Sequence, residues 1–98
     1  MSRQSENDKK YRVQIEEESI HKAIDDTVTK LAYRLNQKGY GTFSSTHEIL
    51  GILHEEFNEY ADGVHNGVSF DGLKEELKDI AVAAIFGIAC IEQGTLDW

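Results

Sequence analysis

Residues 71–93, with the sequence DGLKEELKDIAVAAIFGIACIEQ, decide the fold class of this chain. The first half places apolar and charged residues at helical spacing, which indicates an amphipathic helix capped by Asp71. The second half, from Ile80 to Ile91, is apolar on almost every side of a helical wheel. A helix of that kind is buried on more than one face. The stretch therefore predicts the central helix of an all-α bundle, with its second face covered by another subunit.

A long amphipathic helix is predicted nearer the N-terminus. Apolar residues recur at helical spacing between about Arg12 and Gln37, and Gly39 follows as a helix stop. The stripe consists of Ile20, Ile24, Thr27, Leu31 and Leu35. Because residues 1–10 are polar and charged, we expect a flexible tail there. A single helical domain is then expected over residues 11–98.

Between these two helices a third is predicted from Thr46 to Asp62. Ser45 and Glu48 have the spacing of a capping box, in which a serine and a glutamate three residues later bond each other's backbone N–H groups. Gly63 is expected to end the helix. The chain contains no proline and no internal repeat.

Charge and composition exclude several classes of protein. The formal net charge of −8 argues against a nucleic-acid-binding protein, which usually presents a basic surface to the phosphates. The apolar run from Ile80 to Ile91 is too short to span a bilayer, and the polar N-terminus is not a secretory signal. The single cysteine, Cys90, excludes an internal disulfide and is expected to be a small buried residue. We therefore expect a cytoplasmic protein that binds neither nucleic acid nor membranes.

Two pairs of carboxylates occur on helix faces that normally carry apolar residues. In the helix over residues 46–62, Glu56 lies inside the apolar stripe and Glu59 lies at its edge, one turn further on. In the C-terminal helix, Glu76 and Asp79 have the same spacing. Their face continues through small residues, which leave room for a ligand or for close helix contact: Ala83, Gly87 and Cys90. A solvated surface needs no acid inside an apolar stripe, so the pattern predicts a site.

Four carboxylates on facing helices predict a metal site in particular. Acids that face one another in a partly buried place repel, which drives each toward its protonated form or opens the site. A divalent cation removes the conflict, and hard ions such as Mg²⁺ or Mn²⁺ prefer carboxylate oxygens. The cation also reverses the local charge, so that an acidic protein can hold a polyphosphate. The candidate metal ligands are Glu56, Glu59, Glu76 and Asp79.

These residues resemble the motifs of a known family. The MazG-type all-α nucleoside triphosphate pyrophosphohydrolases carry EExxE on one helix and ExxD on the next. Here residues 55–59 read EEFNE and residues 76–79 read ELKD, and the resemblance covers about residues 45–91. It implies magnesium-dependent hydrolysis of a (deoxy)nucleoside triphosphate to the monophosphate and pyrophosphate. It also implies a MazG-like bundle completed in a homodimer or homotetramer.

The resemblance implies roles for individual residues as well. Mg²⁺, or Mn²⁺ in its place, would be held by the four acids named above. Glu55 or Glu59 would orient or deprotonate the attacking water. Outside the resemblance, and from their positions alone, Arg34 and Lys38 at the end of the first helix are candidates for binding the substrate phosphates, and Tyr40 is a candidate for stacking on the base. Alternatively, Arg34 and Lys38 are charged residues on a solvated helix surface, and Tyr40 is an aromatic residue that covers the core.

Two other functions are compatible with the pattern. One is a non-catalytic helical oligomerisation module whose acids are merely solvated. The other is a carboxylate-bridged di-metal bundle, because Glu18 and His21 have the Glu-x-x-His spacing of such proteins. That site needs two such pairs facing one cluster, whereas Glu56 and Glu59 have no histidine partner at this spacing.

Overall fold

A computed structural model describes residues 12–98 of the chain. Within this part there are three α-helices and no strand: α1 (Glu17–Lys38), α2 (Thr46–His65) and α3 (Phe70–Gln93). The predicted all-α fold class is confirmed. The flexible tail predicted for residues 1–10 lies outside the described residues. None of the three described helices combines the length and hydropathy of a membrane-spanning segment.

Helices α2 and α3 form the centre of the fold, and two glycines bring them close together. A Cβ atom at Gly87 would lie 3.3 Å from Ile49 Cγ2, and one at Gly63 would lie 3.1 Å from Leu73 Cδ2. The first contact joins the start of α2 to the end of α3, and the second joins the end of α2 to the start of α3. The two helices therefore run antiparallel.

Helix α1 packs on α3 and has no fully buried residue. It begins at Glu17, five residues later than the predicted start near Arg12. The side chains of Val13 and Ile15 are 98% and 71% exposed, so no packing holds the preceding residues in a helix. The C-terminal end matches the prediction, because Gly39 follows Lys38 with a positive φ of 84°.

The ends of α2 and α3 confirm the predicted serine cap of α2 and correct three other expectations. Ser45 Oγ accepts the backbone N–H of Glu48 at 3.0 Å, as predicted, although the Glu48 carboxylate accepts the N–H of Ser44 rather than that of Ser45. Helix α2 does not end at Gly63, which is buried against α3 and continues the helix to His65. Helix α3 is capped by Ser69 rather than Asp71. A serine hydroxyl accepts from the first turn as well as an aspartate does.

The core of the single chain is small. Among the described residues only three apolar side chains are buried, all of them on α3: Val82, Ala83 and Cys90. The burial predicted for Cys90 is confirmed. The opposite side of α3 leaves Ile85, Ile88 and Ile91 exposed by 39%, 60% and 60%. Within one chain, the apolar helix is thus buried on one face and not on two.

We expect Gly87→Leu to lower the melting temperature, because a larger side chain at this close contact between α2 and α3 would push Ile49 away. Overpacking of this kind costs about 1–3 kcal/mol. Gly51→Leu is the matched control, since Gly51 also lies in a helix but has open space beyond its Cα. The control should be neutral or stabilising, because glycine is a poor helix former. Thermal unfolding followed by circular dichroism checks both, and equal melting temperatures would contradict the proposed close contact.

Candidate metal centre

Four carboxylates of α2 and α3 converge on one point. Each offers an oxygen, and these four oxygens all lie within 4.8 Å of one another. The residues are the four predicted from the sequence: Glu56, Glu59, Glu76 and Asp79. Three of them are half-buried, and Glu59 is exposed.

The backbone explains why these side chains meet. Residues three apart on a helix share a face, so each helix presents its two acids one above the other. The antiparallel contact of α2 and α3 then brings the two pairs to the same level. The glycines at positions 63 and 87 lie on either side of that level and allow the helices to approach closely.

Two oxygens of the cluster are buried without a hydrogen-bond partner, namely Glu56 Oε2 and Glu76 Oε2. A buried carboxylate oxygen that no donor contacts loses its hydration and gains nothing in return. Either a proton or a cation would supply the missing interaction. Opposite ligand oxygens of six-coordinate Mg²⁺ lie about 4 Å apart and adjacent ones lie closer, so four oxygens within 4.8 Å of one another need to move little to surround one ion. The residues present therefore fit a hard divalent cation.

The same crowding perturbs the acidity of two of these residues. Burial raises the pKa of the Glu56 carboxyl above its ordinary value, and the negative charges of Glu59 and Asp79 raise this pKa further. The pKa of Glu76 is raised in the same way, first by burial and then by the charges of Glu59 and Asp79. Both shifts have the direction expected when like charges are held together away from water.

Two cations of α1 lie against the acids of α3. Asp79 Oδ1 is 2.8 Å from Lys30 Nζ and 2.7 Å from Arg34 Nη2. Lys30 also contacts Glu75 at 3.0 Å, and Lys78 contacts Glu75 at 2.8 Å. The hydrogen bonds from Lys78 and Lys30 lower the pKa of Glu75 to about 2. Burial lowers the pKa of Lys30, but hydrogen bonds to Asp79 and Glu75 outweigh this and raise it overall.

A cavity of about 230 Å³ opens beside the acids, between the three helices and the loop that joins α1 to α2. Glu56 and Asp79 belong to its wall, and so do the positive side chains of Arg34 and Lys38. The rest is apolar apart from the backbone of Gly39 and Gly41, and comprises Leu31, Leu35, Phe43, Ile52, Val82, Ala83 and Phe86. Two of these rings, Phe43 and Phe86, pack edge to face with centroids 5.1 Å apart. The cavity thus joins an apolar surface to charges of both signs.

The other residues singled out in the sequence lie in different places. Arg34 and Lys38 line the cavity, whereas Tyr40 is 75% exposed and does not line it. Phe43 is the aromatic of that loop that reaches the wall. Glu55 is exposed and does not belong to the four-acid group.

Sequence analysis missed the pairing of Lys30 and Arg34 with Asp79. The available signal was their spacing: residues four apart share a helix face. What the spacing does not reveal is which helix that face contacts. Within residues 12–98, no histidine belongs to the group of acids that could hold a metal, so the Glu-x-x-His pair at Glu18 and His21 is not part of it.

Comparison with known proteins gave no match to a family model, to a curated protein or to a solved structure. The resemblance to the MazG-type enzymes therefore depends on the two motifs at residues 55–59 and 76–79. Membership of that family stays a prediction.

Without divalent cations, Glu56→Gln should raise the melting temperature at pH 8, and the gain should shrink as the pH falls toward 4.5, the ordinary pKa of glutamate. A carboxyl group whose pKa is higher in the folded than in the unfolded chain costs no stability at a pH below both values. As the pH rises from the unfolded pKa to the folded pKa, the unfolded chain loses this proton first, and the fold becomes less stable. Glutamine removes that ionisation. Glu55→Gln is the exposed control and should change little. A melting temperature for Glu56→Gln below that of the parent at pH 8 would contradict the interpretation.

Proposed function

We propose that this protein is a magnesium-dependent pyrophosphohydrolase that cleaves a (deoxy)nucleoside triphosphate to the monophosphate and pyrophosphate. The observation that supports it best is the convergence of four carboxylates beside a cavity, with two of their oxygens buried and unpartnered. On a solvated acidic surface, those oxygens would instead accept hydrogen bonds from water.

The charge distribution favours a phosphate ligand at this place. The chain has a net charge of −8 and would repel a polyphosphate without a cation between them. The cavity wall provides two positive side chains, Arg34 and Lys38, near the acids. Guanidinium and ammonium groups bind phosphate oxygens, while an apolar wall with aromatic rings suits the flat face of a base. A nucleoside polyphosphate matches the acids through a bound cation, the positive side chains through its phosphates and the apolar wall through its base.

The roles of the side chains follow from their positions. Glu56, Glu76 and Asp79 are half-buried and would hold Mg²⁺, which polarises phosphate oxygens and lowers the pKa of bound water. Glu59, the exposed member of the group, would complete the set of ligands and would also accept a proton from the attacking water. The water oxygen bonds to the α-phosphorus while the bond to the bridging oxygen breaks, so pyrophosphate leaves. Glu55 lies outside the group and would assist only indirectly.

Hydrolysis in ¹⁸O-labelled water tests the reaction. The label is expected in the nucleoside monophosphate, with unlabelled pyrophosphate as the second product, because attack occurs at the α-phosphorus. Mass spectrometry of the products from a panel of ribo- and deoxyribonucleoside triphosphates measures this. Release of orthophosphate and a nucleoside diphosphate would show that a different bond is cleaved and would overturn the proposal.

Variants of the acids connect the reaction to the site. Glu76→Gln and Asp79→Asn should lower turnover by orders of magnitude and should also abolish the rise in melting temperature that Mg²⁺ gives the parent. Glu92→Gln is the matched control, an exposed carboxylate near the other end of α3. If Mg²⁺ leaves the melting temperature of the parent unchanged, the four acids are not a metal site.

We further expect a homodimer or homotetramer formed through the outer face of α3. The exposed isoleucines of that face, Ile85, Ile88 and Ile91, offer an apolar surface next to a very small core. Ile88→Asp should shift the protein toward monomers because it places a charge in the interface. Ile88→Leu should preserve association. Light scattering at micromolar concentration measures both, and a monomeric parent would refute the assembly.

A further inference from the structure

One carboxylate of the proposed metal site already has cations of the chain as its partners. Lys30 Nζ and Arg34 Nη2 both contact the same oxygen of Asp79, at 2.8 and 2.7 Å. The Asp79 side chain is only 14% exposed, so little water competes for it. A metal ion that uses Asp79 must act against these two positive charges.

The two cations differ in the partners that they keep if the Asp79 carboxylate turns toward a metal ion. Lys30 keeps its ion pair with the Glu75 carboxylate at 3.0 Å. It also donates a hydrogen bond to the Glu75 backbone carbonyl at 3.2 Å. Arg34 has no second carboxylate partner among residues 12–98. The loss of Asp79 therefore leaves Lys30 in an ion pair, whereas Arg34 keeps no contact with a carboxylate in this part of the chain and only the more distant charge of Glu56 remains near it.

Arg34 also lines the cavity, whereas Lys30 does not. Its side chain lines the cavity beside Glu56 and Asp79, and it is 31% exposed against 17% for Lys30. An unpaired guanidinium in that wall has several N–H donors in a planar fork, a geometry that suits two oxygens of a phosphate group. Removal of its partner would convert an internal ion pair into an anion-binding group.

We propose that Arg34 is a built-in competitor of the divalent cation for Asp79, and that the bound cation releases it into the cavity as an anion-binding group. This inference rests on the proposed function, because it takes the four acids as a metal site. Arg34 then weakens metal binding in the absence of substrate. By thermodynamic linkage, an anion that engages Arg34 strengthens metal binding, and the metal strengthens anion binding by the same factor.

The test is the affinity of the full-length chain for Mn²⁺ alone, measured by the paramagnetic resonance of free Mn²⁺ at constant ionic strength. Arg34→Gln should bind Mn²⁺ about tenfold more tightly than the parent, the order expected when a unit charge a few ångströms from a divalent ion is removed. Lys22→Gln is the matched control. It loses the same charge from α1, but its partner is Asp26 on the exposed side, and its affinity should stay within about twofold of the parent.

The outcomes separate this inference from the proposed function. Equal or weaker Mn²⁺ binding by Arg34→Gln overturns the competition and leaves the metal site standing. Absence of Mn²⁺ binding by the parent overturns both. Equal gains in Arg34→Gln and Lys22→Gln would show a general charge effect and overturn the specific role of Arg34.

A second measurement avoids the risk that Arg34→Gln loosens α1. In the ¹⁵N-labelled parent, the Arg34 side-chain Nε–H signal, identified by its loss in Arg34→Lys, should shift during a Mg²⁺ titration as the guanidinium leaves Asp79. If that signal stays in place while Mg²⁺ moves the backbone signals of α2 and α3, Arg34 is not displaced and the proposal fails.

Discussion

Repulsion among four carboxylates, held together between two helices and partly removed from water, is the constraint on which the rest of this structure depends. The acids meet because each helix carries a pair one turn apart and because α2 and α3 lie in close contact. Without a counter-charge such an arrangement favours protonation, and the raised pKa values of Glu56 and Glu76 reflect this. Every neighbouring positive group is therefore part of the site's electrostatics.

Helix α1 supplies that counter-charge. Its contact with α3 is made partly by Lys30 and Arg34, which lie against Asp79. The helix that helps to balance the acids thus also forms one wall of the cavity. Since α1 has no fully buried residue, its attachment depends on these ion pairs together with partial burial of its apolar stripe. A change in the charge of the acids would therefore change the electrostatic attraction that holds α1 against α3.

Little of the single chain is buried. In the apolar part of α3, Gly87 lets Ile49 of α2 approach closely, and the isoleucines on the other side of the helix stay exposed. Small residues in the contact allow close approach but remove little apolar area from water, so they contribute correspondingly little stability. The proposed cation binding and the proposed association would both add stability to this small core.

The sequence by itself determined the three helices and the four acids, because helical periodicity and the i, i+3 spacing are local properties of the chain. It also determined the Ser45 cap and the burial of Cys90. It misplaced the start of α1 and the end of α2, since Val13 lacks a packing partner and Gly63 has one. Only the tertiary structure decided that Arg34 contacts Asp79 and that Phe43, not Tyr40, reaches the cavity. Those contacts depend on how α1 and its loop lie across α3, and no spacing within one helix encodes that geometry.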